Sequence, residues 1–437
     1  MNNTNTSERL NTSERLNTTK TWVADNIVSL IFVAFTIFGF LVSDGVTMNF
    51  FLTELSSRFF RNAFLVLSLI IPVVAGLGLN FGIVIGAMAA QIAIAIVRYF
   101  EFGGVLGLSL TMLIVIPIAV LFGYLTGSLY NKTRGQEMIA SLIVGYFANG
   151  LYQFLFLFAV GVIIKVPATH PMIKPDGVGV RMTVDLVELD KGGLKYALDK
   201  IWEIPFMWAI LVVFACILLL QVWKVLRNKK NPALYRYNKT MVLINVILSI
   251  VMIAISIMAI VTNNSLMMVR KVPVFTGLLI VALCIFNELI LKTKLGQDFR
   301  SVGQSQHIAE VSGINVDRTR IIATILSTVF AAWGQIMYLQ NMGTLNTYGA
   351  HTQIGMFSVA ALLVGGASTQ KAGVKHAIIG TLLFNSMFIM SPEIGLSLFG
   401  NALLGEYFRT FMVYGVIGLA LGLYVWRTNK KGKITLN

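Results

Sequence analysis

Residues 296–320 read GQDFRSVGQSQHIAEVSGINVDRTR, a polar island between long apolar runs, and that contrast decides the fold. Residues 304–312 have the length of about two helical turns, and Gly313 is placed to end them as a left-handed residue. Ile308, Val311 and Ile314 recur at helical spacing, which puts a short apolar stripe on a polar piece. Such a piece belongs across the mouth of a membrane bundle, where its stripe is offered to something in the water. A merely solvated loop would carry the same periodicity, so the rest of the chain has to decide between them.

Composition sets the class independently. The chain is 56% hydrophobic and 12% charged, where ordinary soluble domains carry about 25% charged residues. It reads as an all-α, polytopic membrane helix bundle with about 10–12 transmembrane segments, some broken or re-entrant. The net charge of +15 does not point to nucleic acid. The basic residues lie between apolar runs, as the positive-inside rule places them, and the partner they imply is the lipid bilayer. Cys216 and Cys284 fall inside apolar segments and read as small core residues.

In chain order, residues 1–25 form a polar tail with a direct repeat, NTSERL, and are expected to be disordered. No cleavable signal is evident, so residues 27–42 are a retained first span. Further apolar runs cover about 63–79, 81–97, 105–130, 138–165, 207–226, 241–261, 276–291, 321–339, 354–366, 374–390 and 411–426. The runs beginning at Phe81 and Ile354 are short enough to fail to cross. Their count makes residues 26–426 one transmembrane domain. Residues 167–205 form a polar outer loop, either packed over the pore mouth or simply solvated. Residues 227–239, RNKKNPALYRYNK, are rich in Lys and Arg and mark a cytoplasmic loop. Residues 293–320 then fall on the same side, as do both termini and the basic tail 427–437. The junction GLGLNFGIVIG at 76–86 holds too many glycines for two straight helices. It is either a broken element lining protein or a cavity, or a glycine-rich packing face.

The spelling of 296–320 resembles the cytoplasmic loop of permease subunits in the ABC importer family for simple sugars, nucleosides and branched-chain amino acids. Gly296, Asp298, Arg300, Gly303, Ala309, Gly313, Ile314, Asn315 and Val316 fit that pattern; Ser301, Ser305 and Ile308 depart from it. The resemblance extends to Asn80 and Gly82, to the small residues Ser327, Ala331, Ala332 and Gly334, and to Gly365, Gly366, Gly373 and Gly380. It implies a coupling segment for an ABC ATPase subunit, carried by Gly303, Gln304, Ile308, Ala309, Val311, Gly313, Ile314 and Asn315. It also implies a second permease subunit, identical or not, and an extracytoplasmic solute-binding protein, in the plasma membrane. The amide and acidic residues that nucleoside permeases often carry just after Asn80 are missing.

What the sequence lacks agrees with a transport subunit. There is no G-x-x-x-x-G-K-[ST] phosphate loop, so ATP hydrolysis is expected on a separate chain. No catalytic constellation and no metal-ligand spacing is present, and no cofactor or metal is expected. Mid-membrane charge reads as sparse, whereas amides recur within the spans. Gln91, Asn149, Gln153, Gln335 and Asn385 within the spans, Asn80 at the junction where the family resemblance implies a cavity, and Trp333 as a stacking face are the substrate-path candidates. Such amides also serve as bonds between helices, and aromatic rings as core packing. Together they suit a small neutral polar solute such as a nucleoside or a simple sugar. The alternatives are a branched-chain amino acid permease of the same family, a gradient-driven carrier or facilitator, and a membrane scaffold.

Overall fold

The computed structural model describes residues 27–43, 45–167, 169–187, 193–230 and 239–434. The N-terminal tail 1–25 with its repeat, most of the basic loop 227–239, and the last three residues lie outside the described residues. Every one of the twelve apolar runs is helical. In order these are α1 (Ile27–Val42), α2 (Met48–Leu67) with α3 (Ile70–Val74), α4 (Ile83–Tyr99), α5 (Gly104–Lys132), and α6 (Glu137–Phe154) with the short α7 (Val160–Val162). Then follow α8 (Phe206–Lys230), α9 (Lys239–Thr262), α10 (Val274–Ile290), α11 (Lys294–Gln304), α12 (Gln306–Val311) and α13 (Val316–Met342). The chain closes with α14 (Ile354–Val364), α15 (Val374–Phe399) and α16 (Ala402–Ile434). Among the described residues, 7 helices are long and apolar enough to cross a membrane, or 8 if α10 and α11, bent by 73°, form one span. α1, α4 and α14 are shorter apolar helices.

The chain divides into two compact units. The smaller comprises residues 46–57 and 198–278. In it α8 and α9 form a hairpin, and β2 (Glu203–Ile204) pairs with β3 (Val272–Pro273). Asp199, buried at the foot of that pair, accepts a hydrogen bond of 2.6 Å from Thr276 Oγ1.

The larger unit comprises residues 1–45, 58–197 and 279–437, and α13 is its axis. α13 packs antiparallel to α5 through glycines that bring the backbones together: a Cβ at Gly123 would lie 2.8 Å from Ile325 Cα, and one at Gly127 3.0 Å from Ile321 Cα. α4 meets the same helix at Gly86, where a Cβ would lie 2.5 Å from the Thr328 carbonyl oxygen. In hydrocarbon, where apolar surface gains little by leaving lipid, this close approach of small residues drives association. Where α13 begins, Arg320, wholly buried, donates to Glu137 Oε1 at 2.6 Å and to the Tyr130 carbonyl at 2.9 Å, which ties α13 to the α5–α6 corner.

At its other end α13 stops on Gly343 (φ +75°), and β4 (Thr344–Asn346) pairs with β1 (Thr183–Asp185) of the segment expected as an outer loop. Tyr348 also donates to the Val180 carbonyl at 2.7 Å, and Ile173, Val180, Leu186 and Leu194 are buried. Those parts of 167–205 are packed onto the bundle end rather than simply solvated. Near that end α6 passes through a π-helical turn, Leu155–Ala159, before the chain reverses at Gly161 (φ +99°).

Removing Arg320 would leave the Glu137 carboxylate buried without its partner. Arg320→Ala is expected to cost roughly 3–5 kcal/mol, and adding Glu137→Gln should recover part of that loss; thermal unfolding of the purified variants checks both.

Candidate functional site

The polar island that opened the sequence reading folds as two short helices, each with its own cap. Thr293 Oγ1 accepts from the Gly296 amide and starts α11; Ser305 Oγ accepts from the Ile308 amide and starts α12. Asn315 Oδ1 accepts from the Arg318 amide at 2.9 Å and starts α13. These side chains satisfy amides that a helix start leaves open. Ser305, a departure from the family spelling, thus does a cap's work. Between α12 and α13 the chain turns on Gly313, left-handed at φ +81°, and the Ile314 amide donates to the Ala309 carbonyl at 3.0 Å. That turn divides the expected stripe. Ile308 and Val311 are 66% and 78% exposed, while Ile314 packs inward against Val302, Ala309 and Val316. Gln304 is exposed.

Gly303 has a different place from the rest of the segment. A Cβ there would lie 2.2 Å from the Val74 carbonyl oxygen, and one at Gly76 (φ +76°) would lie 2.7 Å from Gly303 Cα. The end of α11 therefore touches, backbone to backbone, the break between α3 and α4. The neighbouring α5–α6 corner shares this face: Arg134 forms an ion pair of 2.6 Å with Asp317, and Asn131 Nδ2 donates to the Asp317 carbonyl at 3.0 Å.

The break itself is organised by Asn80. Its Oδ1 accepts from the Gly82 amide at 3.0 Å and from Tyr130 OH at 2.9 Å, and the Phe81 amide donates to Ser141 Oγ at 3.2 Å. A side chain at 82 would displace the Asn80–Tyr130 pair, since a Cβ would lie 2.3 Å from Tyr130 OH. Irregular backbone at this buried break is thus met by side chains, as burial demands. The starts of α4 and α14 also meet, with a Cβ at Gly355 placed 3.1 Å from the Phe81 carbonyl oxygen.

Two cavities flank the turn that leads into α14. The larger, about 400 Å³, is lined by Arg58, Arg61, Asn62, Tyr338, Gln353 and Asn385, with the rings of Phe357, Phe384 and Phe388. The smaller, about 70 Å³, is lined by Ser141, Tyr146, Asn149 and His351 among others, and Thr352 lines both. His351 is buried and pins the turn: Nδ1 lies 2.9 Å from Gln91 Oε1 and Nε2 lies 2.8 Å from Asn149 Oδ1. The Tyr152 ring packs edge-on against it at 4.8 Å. Gln335 Nε2 adds a bond of 3.3 Å to the Ala350 carbonyl of the same turn.

The seven path candidates thus separate. Asn385 lines the larger cavity, where its Oδ1 accepts from Asn62 Nδ2 at 3.0 Å. Asn149 lines the smaller one; Gln91 and Gln335 hold the turn between the two. Gln153 Nε2 reaches Asn149 at 3.5 Å, Asn80 orders the break, and Trp333 Nε1 donates to the Met112 carbonyl at 3.1 Å, a bond between α13 and α5. Sequence reasoning missed Arg58, Arg61, Gln353 and His351. For the arginines the signal was present. α2 begins at Met48 rather than at the first strongly apolar residue near Ala63, and Arg58, Arg61, Asn62 and Leu65 recur on one helical face. Among the described residues no group of three or more His, Cys, Asp or Glu could hold a metal ion.

Comparison with known proteins agrees with this architecture. The family model described as branched-chain amino acid transport system / permease component matches residues 201–421, about half of the chain. A probable ABC transporter permease protein of Escherichia coli is 35% identical over 112 residues, 26% of this chain and 33% of that protein. The xylose transport system permease protein of Haemophilus influenzae is 28% identical over 165 residues, 37% of this chain and 41% of its own length. The guanosine ABC transporter permease protein of Bacillus subtilis is 33% identical over 92 residues, 21% of this chain and 29% of its own. In each case the matched stretch spans less than half of the relative. No solved structure matches the chain.

Two substitutions separate the roles of the glycines in this segment. A Cβ at Gly313 meets nothing within 4 Å, so Gly313→Val is expected to cost about 1–3 kcal/mol through backbone conformation alone, and Gly313→Asn much less. Gly303→Ala instead forces α11 away from Val74. Limited proteolysis of the 304–315 turn should rise for Gly313→Val, while Gly303→Ala should also loosen the stretch around Gly76.

Proposed function

Because this chain belongs to the family of permease components of branched-chain amino acid transport systems, multi-pass membrane proteins that transport rather than catalyse, we propose that it is the membrane subunit of an ATP-driven importer. A small polar solute, a nucleoside or a simple sugar, is the cargo class this reading favours, in keeping with the xylose and guanosine permeases among its relatives. A branched-chain amino acid is second. It would need a partner for its ammonium group, and among the described residues no Asp or Glu lines the larger cavity.

The observation that carries the reading is α12. It is a capped helix with Ile308 and Val311 exposed and its polar side solvated, set beside a backbone contact with the α3–α4 break. An ATPase subunit would receive the two apolar side chains in a groove. Its closure on ATP would shift α12 and α11, and the Gly303–Gly76 contact would pass that shift to the break. From there α4, which carries Gln91 and so the bond to His351, would move the turn between the two cavities. Switching of this kind needs packed elements with two discrete arrangements, and backbone contacts at glycine serve it because no flexible side chain absorbs the motion.

Two such subunits would form the path, and a binding protein would deliver solute at the end that bears β1 and β4. The basic loop 227–239, α12 and both termini would lie in the cytoplasm, and the assembly in the plasma membrane.

Uptake of labelled guanosine and xylose into proteoliposomes tests the reading, with and without the ATPase subunit and ATP. Uptake that requires both is expected; full-rate uptake by the chain alone would indicate a carrier or facilitator. Ile308→Asp combined with Val311→Asp should abolish co-purification of the ATPase while leaving the melting temperature within a few degrees, since both side chains are already in solvent.

A further inference from the structure

The larger cavity has an electrostatic character that the cargo classes above do not use. Among the described residues that line it, those charged at neutral pH are two cations, Arg58 and Arg61. The Arg61 guanidinium sits 5.6 Å over the Tyr338 ring, with Nη1 2.6 Å from Met342 Sδ, so it stands level with the last residue of α13. Arg409, paired with Glu406, lies 4.3 Å from the centre of the Phe388 ring at the same cavity, near enough for its charge and that of Arg58 to act on one another. Glu54 stands one helical turn before Arg58 on α2. The opposite wall is the start of α14. Thr352, Gln353 and Ile354 line the cavity there, and no side chain caps that helix. Its first amides and the positive end of its dipole therefore add to the potential of the two arginines.

The guanidinium fork matches the paired oxygens of a carboxylate or phosphate, whereas a sugar hydroxyl uses only one of its donors. The remaining lining suits a compact body beside that group: the Phe357, Phe384 and Phe388 rings offer flat apolar faces, and the Asn62–Asn385 amide pair offers a donor and acceptor edge.

We propose that the larger cavity binds a solute bearing an anionic group, carboxylate or phosphate, with Arg58 and Arg61 holding that group and the aromatic walls flanking the body. The cargo is then an acidic member of the sugar or nucleoside class. This rests on the importer reading for the direction of transport, but the binding site stands or falls by itself.

The test uses the full chain in lipid nanodiscs and two matched pairs of probes, xylose with xylonate and guanosine with guanosine monophosphate, in equilibrium binding at millimolar concentrations. In at least one pair the anion is expected to bind about tenfold more tightly than its neutral partner, and added salt should erode that advantage. Arg58→Gln and Arg61→Gln should each remove most of it, and Arg61→Lys should retain part. Salt dependence of the unmodified chain gives a readout that does not depend on how a variant folds. A preference confined to xylonate names the carboxylate; one confined to guanosine monophosphate names the phosphate. Equal binding of neutral and anionic probes, binding of neither anion, or an advantage that survives loss of both arginines would overturn the proposal. ATP-dependent uptake is measured separately, so an importer of neutral solutes and an anion site without ATP coupling are distinguishable results.

Discussion

Close contact between helix backbones is what holds the larger unit together. Within lipid, apolar side chains find no better company in the protein than outside it, so packing has to come from shape. Gly86, Gly123 and Gly127 let α4 and α5 reach the backbone of α13, and Gly334 lets α13 reach Leu65 on α2, where a Cβ would lie 2.9 Å from Leu65 Cγ. The same device recurs at Gly365 and Gly380, which join α14 to α15: a Cβ at Gly380 would lie 1.9 Å from the Ala361 carbonyl oxygen. Larger residues at these positions would part the helices, and the cavity walls they position would part with them.

Much of this architecture was legible because hydropathy is a strong signal. All twelve apolar runs appear as helices, and the two judged too short to be secure, those starting at Phe81 and Ile354, are among the shorter helices as α4 and α14, together with α1, expected to span. The turn at Gly313 was also legible, since one left-handed residue after a short helix is a local event. The fate of Ile314 was not. Helical spacing grouped it with Ile308 and Val311, but spacing has meaning only while the helix continues, and beyond the turn the chain delivers Ile314 to Val302 and Val316.

The candidate site was less legible than the fold, for two physical reasons. Arg58 and Arg61 lie in the part of α2 ahead of the apolar run that begins near Ala63, where polar and charged residues interrupt the hydropathy signal although the residue spacing is helical. His351 lies in a turn, and its role depends on Gln91 and Asn149, each some 200 or more positions away in sequence. Amides within spans could be found by inspection, but whether each faced a cavity or a neighbouring helix depended on contacts such as that of Trp333 with Met112, which no local pattern encodes.

Thr352, which lines both cavities, gives the turn between α13 and α14 a further meaning. A residue shared by two linings ties the shape of both to the position of one turn. A shift of this turn would therefore act on both compartments at once. Occupancy of either compartment would thereby be felt in the other without any chain of side-chain rearrangements between them.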